Sequence, residues 1–208
     1  GQMGGGIAQV AAAAGHDVLL CDARPGAAAA AIEAAERRLM RAAGKAEDAQ
    51  AAEQAAREAL GRMTEAQGGI SGLVSADIVI EAVAEDEALK RDLFGQLSAV
   101  CRPDAILASN TSSISITRIA AAVSAPERVI GMHFMNPVPV MQLVEVIRGA
   151  ATSDQTFERT SEVVQSMGKV VVCSKDFPGF IVNRVLMPMI NEAFCAMHEG
   201  VASAAHID

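Results

Sequence analysis

The sequence predicts an α/β fold, a doubly wound and mainly parallel sheet followed by the start of an all-helical second domain. Three observations predict it. From the first residue to about residue 175, short apolar runs of strand length alternate with longer helical stretches. Parallel strands joined by crossover helices produce that alternation, with the sheet covered on both faces. The chain opens on Gly1-Gln2-Met3-Gly4 and runs at once into small apolar residues, a glycine-bearing entry to a tightly packed helix. After residue 175 the alternation stops and one long helical stretch remains. The expected domains are therefore residues 1–175 and 176–208.

The elements follow in order. Residues 7–14 are small, apolar and unbroken, and Gly15 is a natural helix stop. Residues 17–22 (DVLLCD) read as a buried strand. Residues 27–43 form an alanine-rich helix, Gly44 breaks it, and residues 47–60 supply a second charged helix, so 27–60 is a helical hairpin insert. Residues 62–66 are a weak strand before Gly68-Gly69, and 76–83 (ADIVIEAV) a strong buried one. A helix over 86–101 ends before Pro103, and a strand over 105–109, a helix over 116–123 and a strand over 129–133 follow. Residues 141–147 are another apolar strand, 154–167 a helix and 169–173 a strand. The turn Asp176-Phe177-Pro178-Gly179 leads into a long helix over 179–199, where Pro188 predicts a kink or an early start.

Composition narrows the function. With 51% hydrophobic residues the chain has enough apolar material for a substantial core. The net charge of -8 argues against a nucleic-acid or membrane-surface binder. The absence of Trp and Tyr removes base or sugar stacking as a main activity. Cys21, Cys101, Cys173 and Cys195 form no C-x-x-C pair, and none sits beside a histidine at ligand spacing. They imply no structural metal, no disulfide framework and a reducing, cytoplasmic setting. The apolar start lacks the basic region of a signal peptide, and no apolar run reaches the ~18 residues of a membrane-spanning helix.

Two places carry chemistry. In GMHFMNPVPVMQLVEVI (131–147), His133 ends one apolar strand and Glu145 lies inside the next. A buried glutamate needs a partner, and the imidazole is the obvious one. Such a pair would fix the tautomer and stabilise the imidazolium, as a general base requires, and it also reads as a structural ion pair. The second place is the start. If Gly1 and Gly4 are the second and third glycines of G-x-G-x-x-G, the first glycine and its strand are missing. Asp22, 21 residues after Gly1, lies where an acid would hold the adenosine ribose hydroxyls. Gly1 would let the backbone approach a pyrophosphate, and the helix N-terminus would face it. Asp22 would repel a 2′-phosphate and so select NAD, although Arg24 is the residue type that accepts one.

Together these segments resemble the L-3-hydroxyacyl-CoA dehydrogenase family, in GQMGGGIAQVAAAAGH, SNTSSISI, GMHFMNPVPVMQLVEVI and DFPGFIVNRVLMP. The resemblance spans nearly the whole chain and implies a Rossmann-like domain, a helical C-terminal domain that forms a homodimer, and NAD-dependent oxidation of the 3-hydroxyl of an acyl-CoA. It implies His133 as base, Glu145 as its partner, and Ser112 and Asn183 as substrate contacts. On the cofactor it implies Gly1, Gln2, Met3, Gly4 and Asp22, with Glu85, Lys90, Ser112 and Asn136 on the nicotinamide side. Arg37, Arg38, Arg41 and Lys45 are candidates for the CoA phosphates, or for a solvated basic face. Standing alone, Ser112 would read as a helix-capping serine and Asn183 as a surface amide.

The resemblance also implies that the chain is truncated at both ends. The missing first strand would lie mid-sheet and bare the edges of two neighbours. Other readings are an NAD-holding protein without catalysis on the same scaffold and the dehydrogenase module of a multifunctional β-oxidation protein. A dehydrogenase of free β-hydroxyacids with a lysine base is disfavoured, because 131–147 holds no lysine.

Overall fold

The computed structural model describes every residue from Gly1 to Asp208, and its architecture is α/β with a mainly parallel sheet. Helix α1 (Gln2–Ala13) begins five residues ahead of the expected helix, because the glycines join it rather than precede it. A Cβ on Gly6 would lie 3.0 Å from that of Val138, so only glycine lets α1 sit this close to the loop after residue 134. Strand β1 (Val18–Leu20) follows, then α2 (Ala27–Ala43), α3 (Ala49–Gly61) and β2 (Met63–Glu65). The hairpin of α2 and α3 closes over α1 through small residues, among them Ala8, Ala12, Ala35 and Ala59.

Strands β1 and β2 pair in parallel as a separate two-stranded sheet. The buried strand expected over 17–22 is therefore corrected: it is three residues long, and Leu19 is exposed. No strand is hydrogen-bonded to its second edge, so it lacks the cover that a central strand enjoys.

The main sheet has the order β3 (Ile78–Glu81), β4 (Ile106–Ser109), β5 (Val129–Phe134), β6 (Leu143–Arg148), β7 (Val170–Lys175). All pairs are parallel except β5 with β6. Those two are joined by a loop rather than a crossover helix, which permits the antiparallel return. Strand β3, expected to be buried, is half-buried over three of its four residues, for the same reason as β1. Helices α4 (Glu87–Val100) and α5 (Ile116–Ala120) cover one face, and α6 (Asp154–Ser166) packs on β6 and β7.

The pleat assigns residues to these faces. On β5, Ile130, Met132 and Phe134 join the core shared with Val144, Val146 and Val164. Val129 and Ile147 join the other core, with Phe94, Leu107, Ile116, Ile119 and Phe180. His133 and Glu145, two residues from Val129-Gly131 and Ile147 in the alternation, therefore share the α4/α5 face. A Cβ on Gly131 would lie 2.8 Å from that of Ile147, so glycine is what permits close strand packing on the way to His133.

After β7, the turn at 176–179 leads into α7 (Val182–His198) and the short α8 (Ala204–Ile207). Helix α7 runs through Pro188 as one element and has no buried residue. No helix of the chain is long and apolar enough to cross a membrane.

Candidate active site

The antiparallel register of β5 and β6 puts His133 directly opposite Glu145. Their side chains meet at 2.7 Å, Nδ1 to Oε2, with both residues buried. The second oxygen, Oε1, accepts from the backbone N–H groups of Ile181 and Val182 at 2.8 and 2.9 Å. Those amides belong to the start of α7, where unpaired donors and the helix dipole favour an anion. A carboxylate can only accept, so His133 donates through Nδ1 and keeps the Nε2 lone pair free. Phe180 packs its ring 5.9 Å from the imidazole, and its own backbone is held at φ 50°, a left-handed conformation rare outside glycine.

Ser112 lies on the loop after β4. Its N–H and hydroxyl donate to Glu85 Oε1 at 3.0 and 3.2 Å, and its carbonyl accepts from Asn183 Nδ2 at 3.1 Å. The helix cap that the S-N-T-S-S run suggested is made three residues on, where Ser115 accepts from Arg118 N. Asn183 is one residue past Val182, so a continuous chain of contacts links His133, Glu145, the α7 N-terminus, Asn183, Ser112 and Glu85. Burial pushes the Glu85 carboxyl up, but the Thr111 hydroxyl, the Ser112 N–H and Lys90 outweigh it and hold it below its ordinary range.

Lys90, expected as a cofactor contact, is 1% exposed, with its ammonium 2.7 Å from Glu81 Oε1 and 3.3 Å from Glu85 Oε2. As placed, it meets the cleft only through Glu85.

The glycine-rich start lies at the other end of the cleft. No side chain caps α1, and its first backbone bond runs from Gly5 N to Gly1 O, so the N–H groups of Gln2, Met3 and Gly4 have no acceptor within the helix. These open donors fit a pyrophosphate. Asp22 Oδ2 stands 3.6 Å from Gly1 N. The Arg24 backbone N–H is the main cause holding the Asp22 carboxyl below its usual range; burial opposes it, and the Arg24 guanidinium adds to the lowering. Arg24 thus folds onto Asp22, with Nε 3.5 Å from Oδ1. A cavity of about 540 Å³ opens here, lined by Gly1, Gln2, Gly5, Arg24, Gly26 and Arg38 among others. Gln2 Nε2 also donates to Asn136 Oδ1 at 3.2 Å, which ties the start of α1 to the F-M-N-P turn.

The four basic residues of the hairpin do not form one patch. Arg38 crosses to Gln9 Oε1 at 2.6 Å and lines the cofactor-side cavity, whereas Arg37 pairs with Glu33 at 3.8 Å on the surface. Arg41 and Lys45 are exposed.

Sequence reasoning missed Glu81, Phe180 and Asp176. Glu81 closes an apolar strand, the same signal that singled out Glu145. Phe180 gave no signal beyond its place in the D-F-P-G-F turn. Asp176 accepts from Ser115 Oγ, Ile116 N and Thr117 N, some 60 residues away in sequence, which no local pattern announces.

The comparisons with known proteins agree with this geometry. The profile described as 3-hydroxyacyl-CoA dehydrogenase, NAD binding domain, matches residues 1–177, and the C-terminal domain profile of the same name matches 179–208. The chain is 50% identical over 208 residues to a 3-hydroxybutyryl-CoA dehydrogenase of Bradyrhizobium diazoefficiens, spanning all of this chain and 70% of that protein. It is also 50% identical to a probable 3-hydroxybutyryl-CoA dehydrogenase of Bacillus subtilis, of which it covers 71%. Among solved structures, the (S)-3-hydroxybutyryl-CoA dehydrogenase of Ralstonia eutropha superposes with a TM-score of 0.94 at 44% identity, over all of this chain and 72% of that one.

Proposed function

The chain belongs to the 3-hydroxyacyl-CoA dehydrogenase family, and from that premise we propose that His133, oriented by Glu145, is the base of an NAD-dependent oxidation of L-3-hydroxyacyl-CoA to 3-ketoacyl-CoA. NAD, when bound, supplies the ring that accepts the hydrogen and electron pair leaving C3. His133 Nε2 takes the proton of the 3-hydroxyl, and Glu145 stabilises the imidazolium that results. Ser112 and Asn183 hold the hydroxyl and the thioester carbonyl in line, which is an orientation effect. The open N–H groups of α1 hold the pyrophosphate, Asp22 the adenosine ribose, and Glu85 with Asn136 the nicotinamide side.

The observation that carries this reading is the saturation of Glu145. One oxygen meets His133 and the other two α7 amides, so the imidazole can turn neither tautomer nor plane. The test is His133→Gln. It lowers kcat at least ~100-fold, the usual size of a general-base effect, with NAD affinity little changed. Near-normal turnover removes His133 from the mechanism and revives the NAD-holding, non-catalytic reading.

The CoA phosphates are assigned to the exposed end of α2, Arg41 and Lys45, since Arg37 and Arg38 have partners of their own. We place the domain boundary between residues 175 and 176, where β7 ends and the turn before α7 begins. The homodimer that the family resemblance implies is placed through the helical domain, where Val185, Met189 and Phe194 of α7 are exposed in the 208 residues described. Free thiols at Cys21, Cys101, Cys173 and Cys195 are in keeping with a cytoplasmic enzyme.

A further inference from the structure

Beneath the Ser112 loop lie two buried charges, Glu81 and Lys90, that the mechanism above does not use. Glu81 is the last residue of β3 and Ser109 the last of β4, and the two are register partners. Both therefore stand at the carboxyl ends of parallel strands, the edge at which open α/β sheets hold their ligands. Ser109 Oγ donates to Glu81 Oε2 at 2.7 Å. Glu81 Oε1 accepts from Lys90 Nζ and from Val83 N, each at 2.7 Å. Lys90 also faces Glu85, whose Oε1 accepts from Thr111, Ser112 and Ser113.

Every contact of Glu81 and Glu85 is with a donor, the pattern of two carboxylates rather than of a carboxylic acid. Two carboxylates and one ammonium leave a net charge of -1. The adjacent charges are engaged elsewhere: Asp86 caps α4 through Leu89 N, and Glu87 pairs with Arg118 at 2.9 Å. Burying the Glu81–Lys90 ion pair beside the exposed Glu85 is a poor route to stability, because well-packed apolar residues of the same volume do as well or better. Such a cluster therefore calls for another reason to exist.

We propose that Glu81 is a positioning residue whose charge, relayed through Lys90 and Glu85, biases the site toward the oxidised cofactor over the reduced one. The proposal rests on the placement of the nicotinamide beside Glu85 and Ser112 argued above. The nicotinamide ring carries a positive charge in NAD⁺ and none in NADH. A fixed net negative charge next to it stabilises the first and is indifferent to the second, and it needs no reorganisation to do so. With Glu81 absent, Lys90 would neutralise Glu85 alone and the site would present no net charge. Glu81 thus keeps Lys90 from cancelling the carboxylate that faces the ring. The same group hangs the Ser109–Ser113 loop from two carboxylates, which orders Ser112 for substrate.

The test compares dissociation constants for NAD⁺, NADH and ADP-ribose, which lacks the ring, in the wild type and in Glu81→Gln, which keeps the shape and removes the charge. The expected result is NAD⁺ weakened about fivefold relative to NADH, the scale of one unit charge acting at second-neighbour range through a partly screened interior. ADP-ribose binding is expected to stay unchanged, which also reports that the variant is folded. If Glu81→Gln does not fold, Glu85→Gln removes the other carboxylate and shifts the ratio in the same direction. A ratio of NAD⁺ to NADH affinity that does not move in a folded variant overturns the inference, as does an equal loss for all three ligands, which is the mark of a merely structural role. If the wild type itself binds NAD⁺, NADH and ADP-ribose alike, the ring is not held in this cleft, and the placement beneath the proposal fails as well.

Discussion

Strands β5 and β6 and helix α7 carry the two halves of the proposed site, and they are built in opposite ways. Of the twelve residues in the two strands, ten are buried. Of the seventeen in α7, none is. His133, the proposed base, therefore sits on an enclosed part of the molecule, with its geometry fixed by strand register. Asn183, the proposed substrate-side amide, is half-buried at the start of α7, and Val185, Met187, Met189 and Phe194 further along the helix are exposed in the 208 residues described. Glu145 belongs to both halves, because one oxygen holds the imidazole and the other holds the first amides of α7. Glu145 thereby ties the strand pair to the start of α7.

That double duty gives the largest effect with which to break the comparison. Glu145→Ala leaves an imidazole N–H and two backbone N–H groups without an acceptor in a buried place. At ~1–3 kcal/mol for each unsatisfied group, it lowers stability by several kcal/mol and activity with it. Glu145→Gln separates the two duties. An amide has one acceptor, so it either satisfies the α7 amides and turns its NH₂ on His133 Nδ1, or the reverse. The fold is largely kept while kcat falls about 100-fold or more through the wrong tautomer. Thermal melting set beside kcat for the two variants checks this. Equal losses of stability would mean that the charge of Glu145, and not its two acceptors, joins the halves.

A smaller effect lies at the turn between them. Asp176 accepts from Ser115 Oγ, Ile116 N and Thr117 N at 2.7–3.0 Å, pinning the approach to α7 onto the start of α5. Burial pushes its carboxyl up, but the donors of Thr117, Ser115 and Ile116 outweigh it and hold it below the ordinary range. A carboxylate depressed in the folded state adds stability that is present above the unfolded value, near 4, and lost as pH falls toward the folded one. Asp176→Asn lowers Tm by about 2–4 °C at pH 7, the shift that ~1 kcal/mol makes in a chain of this length. The gap to the wild type closes as the pH drops below about 4. A gap of constant size from pH 7 to pH 3 would show that the charge of Asp176 does nothing for the turn.

The contrast between the halves also marks what was legible in the sequence. Helix α2 is observed over the span expected, because glycines at 26 and 44 bound an alanine-rich run. His133 and Glu145 were legible because an acid inside an apolar strand has few ways to be satisfied, and one imidazole stood at strand distance from it. The inward turn of Lys90 was not, since nothing local tells a helical lysine that a carboxylate nine residues back will bury it. Asp176 and Phe180 act through contacts or backbone angles that only the assembled fold supplies. The exposure of β1 and β3 is set by which strands stand beside them, and an apolar run reads the same whether its neighbour is a strand or water.

The smallest expected effect is the sharpest check on the unburied half. Val185 is 63% exposed, so Val185→Ala removes two methyl groups that the isolated chain does not bury. Its stability changes by less than ~0.5 kcal/mol, as surface substitutions do, when melting is followed at low protein concentration. The homodimer proposed through α7 predicts a different result at high concentration. There the same methyl groups are covered, each contributing about 0.8 kcal/mol, and the variant melts below the wild type by a margin that grows with concentration. A deficit independent of concentration would place the cover of Val185 within the chain itself, and α7 would then be packed in a way that its exposed face contradicts.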